Sequence, residues 1–330
     1  MDVNKRRKAA LVGCSDPLDN SMKDEIGRLA QILSEEGLQV EISPFIFEEG
    51  VISYISGRQK AEALNVYFQD PEMAFIFDVS GGDLANSVLP YLNYDAIRES
   101  KAVFFGFSDL TTVINAIIAK TGKAAVNYQV RNLLRDKDGE LLDYFRNHIL
   151  KIHEFLASES VHESGHESVH ESVHESGNES GNTTADYAVD CQPAGKTNPL
   201  MDPLEIHFLR GTSMEGRILG GNVRCFLKLA GTPYWPDLDG AILLLEAYGG
   251  GVNQMVTALN QYQQLGVLDR IRGVLLGTFT YMEKNHISPA MRDMVLEMLP
   301  KGIPVAETRY VGHGRDARGI ILGQYTYIGS

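Results

Sequence analysis

In the N-terminal part of the chain, short apolar runs alternate with stretches whose apolar residues recur at helical spacing. A run of about 4–8 apolar residues between turn formers reads as a buried strand, and a recurrence every three to four residues reads as one helix face. Residues 9–14 (Ala-Ala-Leu-Val-Gly-Cys) predict a first strand, 22–36 a helix closed by Gly37, and 40–42 a second strand. Residues 56–69 predict a helix and 73–79 (Met-Ala-Phe-Ile-Phe-Asp-Val) a third strand. A fourth strand follows at 102–107, then a helix over 110–120 that stops at Gly122. Strands that alternate with helices imply a parallel sheet covered on both faces. In such sheets chemistry gathers beyond the carboxyl ends of the strands.

A second α/β pattern occupies the C-terminal part. Strands are expected at 205–209, 241–245, 273–279 and 303–310, with helices at 253–265 and 289–299 and a turn-rich stretch at 211–221. Between the two patterns, residues 158–182 repeat a four-residue unit such as Glu159-Ser160-Val161-His162. Its few Val side chains bury too little area to offset the entropy of ordering, so it reads as a disordered linker. The period would also set His162, His166, His170 and His174 near one helical face, where pairs could hold a transition metal. Ser and Gly in the tetrads make that helix poor, which favours the linker. The expected organisation is a parallel α/β sandwich domain over 1–157, the linker over 158–182, and a smaller mixed α/β domain over 183–330.

A length of 330 residues suits two full-sized cores. The chain carries 43 acidic and 30 basic side chains, a net charge of −13, which disfavours nucleic acid as a partner. No run approaches the roughly 18 apolar residues of a membrane span. After Lys5-Arg6-Arg7-Lys8 the apolar run 9–12 is too short for a signal peptide. Cys14, Cys191 and Cys225 are widely spaced and lack a Cys-x-x-Cys pair, as reduced thiols of a cytoplasmic protein would be. No phosphate-binding glycine motif and no zinc pattern outside the repeat is present, so neither cofactor nor metal is expected.

The sharpest local signal is Phe104-Phe105-Gly106-Phe107-Ser108-Asp109, an apolar strand that ends in Gly-x-Ser and runs directly into a helix. A serine on such a turn stands above the sheet, beside backbone N–H groups that the helix start leaves free. That supplies a nucleophile and half of an oxyanion hole, although Ser108 and Asp109 would also serve as plain helix caps. Of the histidines outside the repeat, His148 and His153 lie in a charged helical stretch, His207 in a strand and His286 in a polar loop. His313 lies between two glycines just past a strand end, where its ring can enter a cleft. Glu246 closes the run Ile242-Leu243-Leu244-Leu245, so a carboxylate emerges where a buried strand reaches the sheet edge; Glu205 and Glu307 are rivals on less apolar strands. The turn Ser80-Gly81-Gly82-Asp83 could offer a second oxyanion N–H, and Gly220-Gly221-Asn222 could bring a side-chain amide to a substrate.

In order along the chain, these pieces resemble the LD-carboxypeptidases. These are serine peptidases that include muramoyltetrapeptide carboxypeptidases and microcin C self-immunity peptidases. The matching stretches in the first half are Gly81-Gly82, Leu89-Pro90-Tyr91-Leu92-Asn93-Tyr94-Asp95, Gly106-Phe107-Ser108-Asp109 and Lys120-Thr121-Gly122. In the second half they are Glu215-Gly216-Arg217-Ile218-Leu219-Gly220-Gly221-Asn222, Gly231-Thr232-Pro233-Tyr234, Leu244-Leu245-Glu246 and Gly312-His313-Gly314. The resemblance implies Ser108 as nucleophile, His313 as general base and Glu246 as its orienting carboxylate. The N–H groups of Asp109 and Gly82 would form the oxyanion hole, the site would lie between the two domains, and a homodimer is implied as well. Two motifs depart from the family: Gly81-Gly82-Asp83-Leu84 stands where Gly-Gly-Tyr-Gly is usual, and Asn127-Tyr128-Gln129 where His-Gly-Pro is common.

The expected activity is that of a serine carboxypeptidase on a small peptide, with cell-wall muropeptides the leading substrate and Asn222 a candidate substrate contact. An immunity-type peptidase that cleaves peptidyl- or aminoacyl-nucleotides is the alternative within the family, with Trp235 as a conceivable platform for the base. A silent binding protein of the same fold is the alternative outside it.

Overall fold

The computed structural model describes residues 7–48, 55–163 and 199–329, with backbone alone at 158–163 and 202. The first five strands are β1 (Arg7–Val12), β2 (Leu38–Ile42), β3 (Met73–Asp78), β4 (Val103–Gly106) and β5 (Ala125–Asn127). They pair in the order β5-β4-β3-β1-β2, all parallel. Every residue of β3 and β4 is buried, as a sheet covered on both faces requires. The helices between them keep the predicted ends. Ser56 caps Gly57–Gln69 in a capping box with Gln59, and Gly122 closes Thr111–Thr121 at a φ of 75°.

The remaining strands are β6 (His207–Arg210), β7 (Ser213–Asn222), β8 (Ile242–Ala247), β9 (Gly273–Phe279), β10 (Val305–Glu307), β11 (Ile320–Leu322) and β12 (Tyr325–Gly329). The second sheet runs β12-β7-β8-β9-β10-β6, parallel from β7 to β10 and antiparallel at both edges. β11 lies apart from its neighbours in sequence: it returns to the first sheet and pairs antiparallel with β5. Residues 183–330 are therefore not all in the second domain. The helix Ile152–Glu163 also carries helical backbone past residue 158, and the rest of the segment read as a linker lies outside the described residues. Among the described residues no helix is long and apolar enough to cross a membrane.

The largest departure from expectation is β7, a strand of ten residues where the glycines predicted turns. The helix Thr111–Thr121 explains those glycines, because it lies directly on this strand. Asn115 Nδ2 donates to Gly220 O at 2.8 Å, Gly220 N–H donates to Asn115 Oδ1 at 3.1 Å, and Asn222 N–H donates to Thr111 Oγ1 at 3.0 Å. A Cβ on Gly221 would stand 2.8 Å from Thr111 Oγ1, and its φ of 130° is one that side chains rarely adopt. Val113, Ile114, Ile117 and Ile118 of the same helix are buried in one apolar cluster that continues into β8 and β9. Each such side chain contributes about 1.5–3 kcal/mol of burial. The helix that follows Ser108 is thereby the dock between the domains.

Candidate active site

Ser108 lies two residues past β4 with a φ of 59°, one of three positive-φ residues other than glycine among those described. A side chain in that region carries about 1–3 kcal/mol of strain, which the surrounding packing must hold. Gly106 shows how: a Cβ there would stand 2.6 Å from Leu110 Cβ, so the missing side chain makes room for the helix start to fold back. At the place of the second glycine of the usual elbow pattern stands Leu110, which is fully buried. Leu110 N–H donates to Phe107 O and Thr111 N–H donates to Ser108 O, while the Asp109 N–H has no partner among the described residues.

Glu246 lies on β8 directly across from Asn222 on β7 and is wholly buried. His313 follows β10, and its ring spans the two halves of the site. His313 Nδ1 lies 2.8 Å from Glu246 Oε2 and Nε2 lies 3.1 Å from Ser108 Oγ. In the tautomer that serves both contacts, Nδ1–H donates to the carboxylate and Nε2 accepts the serine hydroxyl. Phe107 and Tyr248 flank the imidazole, with ring centres 4.5 and 5.0 Å away. Gly312 brings the chain in at a φ of 138°, and a Cβ there would collide with Thr278 Oγ1. The three residues expected from sequence thus meet as one hydrogen-bonded chain that crosses the domain interface.

The Asn222 side chain is bonded within the protein through both its nitrogen and its oxygen. Its Nδ2 donates to Glu246 Oε1 at 3.1 Å, and its Oδ1 accepts from Cys225 N–H at 3.3 Å as the cap of the helix Val223–Leu227. It holds the carboxylate instead, because residue 222 sits beside residue 246 in the sheet register. Gly82 has a φ of 127°, where a Cβ would collide with the Asp16 carboxylate. Asp16 Oδ1 accepts from Asp83 and Leu84 N–H at 3.1 and 3.2 Å, which leaves the Gly82 N–H without a partner among the described residues. Behind this turn, Asp78 accepts from Cys14 N–H and from both donors of Ser80 at 2.6–2.8 Å. Burial raises the Asp78 pKa, and these donors pull against that rise.

The rivals are engaged elsewhere. Glu205 accepts from Tyr310 Oη at 3.2 Å, and Glu307 pairs with Arg292 at 3.2 Å. His148 and His153 are partly buried, although the charged helical stretch around them predicts solvated side chains. His148 Nδ1 lies 2.8 Å from Pro199 O and its ring stacks on Tyr144, while His153 packs against Phe75. Trp235 stacks on the buried Phe226 at 4.5 Å, which commits its ring to the core. Cys14 and Cys225 are free and buried; Cys191 lies outside the described residues. Sequence reasoning does not single out Lys228, whose Nζ donates to Asp109 Oδ1 at 2.6 Å; a lysine just beyond the apolar helix after Gly220-Gly221-Asn222 is the only signal it leaves.

Comparison with known proteins gives the family and the fold. Residues 9–128 match the LD-carboxypeptidase N-terminal domain, and residues 215–328 match the LD-carboxypeptidase C-terminal domain. This chain belongs to the LD-carboxypeptidase family. The family is one of serine carboxypeptidases, and the two matched domains bring Ser108 on the first and Glu246 with His313 on the second. Among relatives of this LD-carboxypeptidase, the microcin C7 self-immunity protein MccF of Escherichia coli is 24% identical over 263 residues, 77% of this chain and 71% of that one. The fold matches wild-type MccF in its apo state with a TM-score of 0.75 at 20% identity, covering 98% of this chain and 93% of that one. It also matches the muramoyltetrapeptide carboxypeptidase of Oxalobacter formigenes with a TM-score of 0.68 at 17% identity, covering 98% and 95%.

Proposed function

We propose that this protein is an L,D-carboxypeptidase that removes the terminal residue of cell-wall muropeptides, with Ser108, His313 and Glu246 as its triad. The observation that carries the reading is the unbroken chain from Ser108 Oγ through His313 to Glu246, at 3.1 and 2.8 Å, with the serine on a strained turn. Ser108 Oγ attacks the scissile carbonyl while His313 Nε2 takes its proton, and Glu246 balances the imidazolium that forms. The oxyanion develops towards the N–H groups of Asp109 and Gly82. Collapse of that intermediate breaks the C–N bond, His313 gives its proton to the leaving amine, and an ester remains on Ser108. Water then attacks the ester with His313 again as base, which releases the acid and restores the serine.

A cleft of about 270 Å³ beside His313 is lined by Thr278, Thr280, Glu283, Lys284 and Arg315. The lining sets two cations, Lys284 and Arg315, against the one carboxylate of Glu283, whose Oε1 accepts from Phe279 N–H at 2.7 Å. That suits the free carboxylate of a terminal amino acid.

The test is incubation with a panel of muropeptides and an aminoacyl-sulfamoyl adenylate, with products read by mass spectrometry. Release of D-alanine from a tetrapeptide is expected. Cleavage of the nucleoside analogue alone would move the protein to the immunity type. No hydrolysis, together with no fluorophosphonate labelling at Ser108, would leave a binding protein.

A further inference from the structure

The residue after the nucleophile sets an electrostatic problem. Asp109 would lend its N–H to the oxyanion, yet its own side chain is a carboxylate with no solvent exposure. An unbalanced anion there opposes the negative charge that grows on the substrate oxygen, and a site without water screens that opposition poorly. Three neutral donors reach the carboxylate. Ser15 Oγ–H donates to Oδ2 at 2.6 Å, Ala85 N–H donates to Oδ2 at 2.8 Å, and the Cys225 thiol is the third. Burial, then the nearby Asp109 charge, pushes that thiol up to about 12, so it stays a neutral donor.

Among the described residues one cation touches Asp109 directly. Lys228 Nζ donates to Oδ1 at 2.6 Å, donates to the Asp83 carbonyl at 2.9 Å, and lies 3.4 Å from the Asp83 carboxylate. Lys60 is bound to the Ser15 carbonyl and acts on Asp109 by its charge alone, without a direct bond. Burial pulls the Lys228 pKa down, but the Asp109 bond and charge outweigh it and the net shift is upward, so the ammonium is charged at neutral pH.

We propose that Lys228 is a positioning residue for the hydrolysis: it neutralises the Asp109 carboxylate and ties the Gly81-Gly82-Asp83 turn to the nucleophile elbow. The inference rests on the serine-peptidase reading above. Lys228 comes from the second domain, while Asp83 and Asp109 belong to the first. It follows the helix Val223–Leu227, whose cap Asn222 donates to Glu246. A helix of five residues therefore grips the site at both ends, the carboxylate behind His313 at its start and the carboxylate behind the oxyanion at its finish.

The experiment compares wild type, Lys228→Met, Lys228→Arg and the double variant Asp109→Asn/Lys228→Met. It reads kcat and KM on a muropeptide, the rate of fluorophosphonate labelling at Ser108, and the melting temperature. Lys228→Met should lower kcat and the labelling rate by about 10²-fold while KM moves less than about threefold. Lys228→Arg should keep most of the rate, and the double variant should recover part of it because no unpaired anion remains. Should Lys228→Met fail to fold, the double variant replaces it, with a rate within about tenfold of wild type expected. A native kcat in Lys228→Met, a rise in KM alone, or a double variant slower than the single one would overturn the proposal. Labelling separates this failure from that of the underlying reading: a wild type that does not label at Ser108 sinks both, whereas equal labelling of wild type and Lys228→Met sinks only this one.

Discussion

Ser108 follows β4 on a turn with a φ of 59°, whereas Glu246 sits within β8, paired with Asn222 of β7 at the point where the register with β9 shifts, its carboxylate wholly buried. The first sheet contributes by bending its backbone, and the helix beyond the bend is itself the dock to the second sheet. The second sheet contributes one side chain from within a strand and another from the loop after β10, and spends its glycines on letting chain segments approach. Gly277 shows this: a Cβ there would collide with Val311 O and stand 3.0 Å from the Glu246 Cβ. The nucleophile depends on strain, then, and the base and its carboxylate on packing. Substitutions should affect the two halves differently.

The largest effects should come from the reacting groups. Ser108→Ala and His313→Ala should each lower turnover by about 10⁵–10⁶-fold, and Glu246→Gln by about 10⁴-fold, with melting temperatures near wild type for the first two. Near-native turnover in Glu246→Gln would hand the carboxylate role to Glu205 or Glu307. Next comes backbone packing in the second half. Gly312→Ala forces a side chain into Thr278 Oγ1 and should cost about 10²-fold in kcat through misplacement of His313; steady-state kinetics showing a change in KM alone would contradict this. Asn222→Ala removes the donor to Glu246 Oε1 and a helix cap, so kcat should fall and stability drop by about 1 kcal/mol. If KM rises and kcat holds, Asn222 contacts substrate after all.

The smallest effect lies in the first half, away from the site. Burial lowers the Lys123 pKa to about 8, where its ammonium donates to the Ser100 and Ala102 carbonyls. Between pH 8 and the ordinary lysine range the unfolded chain binds the proton that the folded chain has released, so stability should rise with pH across that window. Thermal melts of Lys123→Met should lose this rise, with kcat unchanged. A variant with the same pH slope as wild type would locate the effect elsewhere.

Much of the first domain is legible in sequence because each strand there is a continuous apolar run and each helix carries its own punctuation, such as Ser56 and Gly122. The site is legible where chemistry coincides with a break in pattern: Ser108 after Gly106, Glu246 after four apolar residues, His313 between glycines. What escapes is set by distant partners. β7 hides because its glycines answer to Thr111 and Asn115, some hundred positions away, and those glycines imitate a turn. β5 and β11 have three residues each and no periodicity to detect. Lys228 carries no local mark at all, since its meaning depends on two carboxylates in the other domain.

The return of β11 to the first sheet bears on how the chain is born. Residues 125–127 leave the ribosome nearly two hundred residues before 320–322, their partners in the sheet. Until then the β5 edge of an otherwise finished domain presents unpaired backbone groups, a surface open to wrong pairing with other nascent chains. His313 precedes that closing strand by only a few positions. Synthesis therefore delivers His313 and the strand that seals the β5 edge within a few residues of each other, and a chain cut before them would lack both.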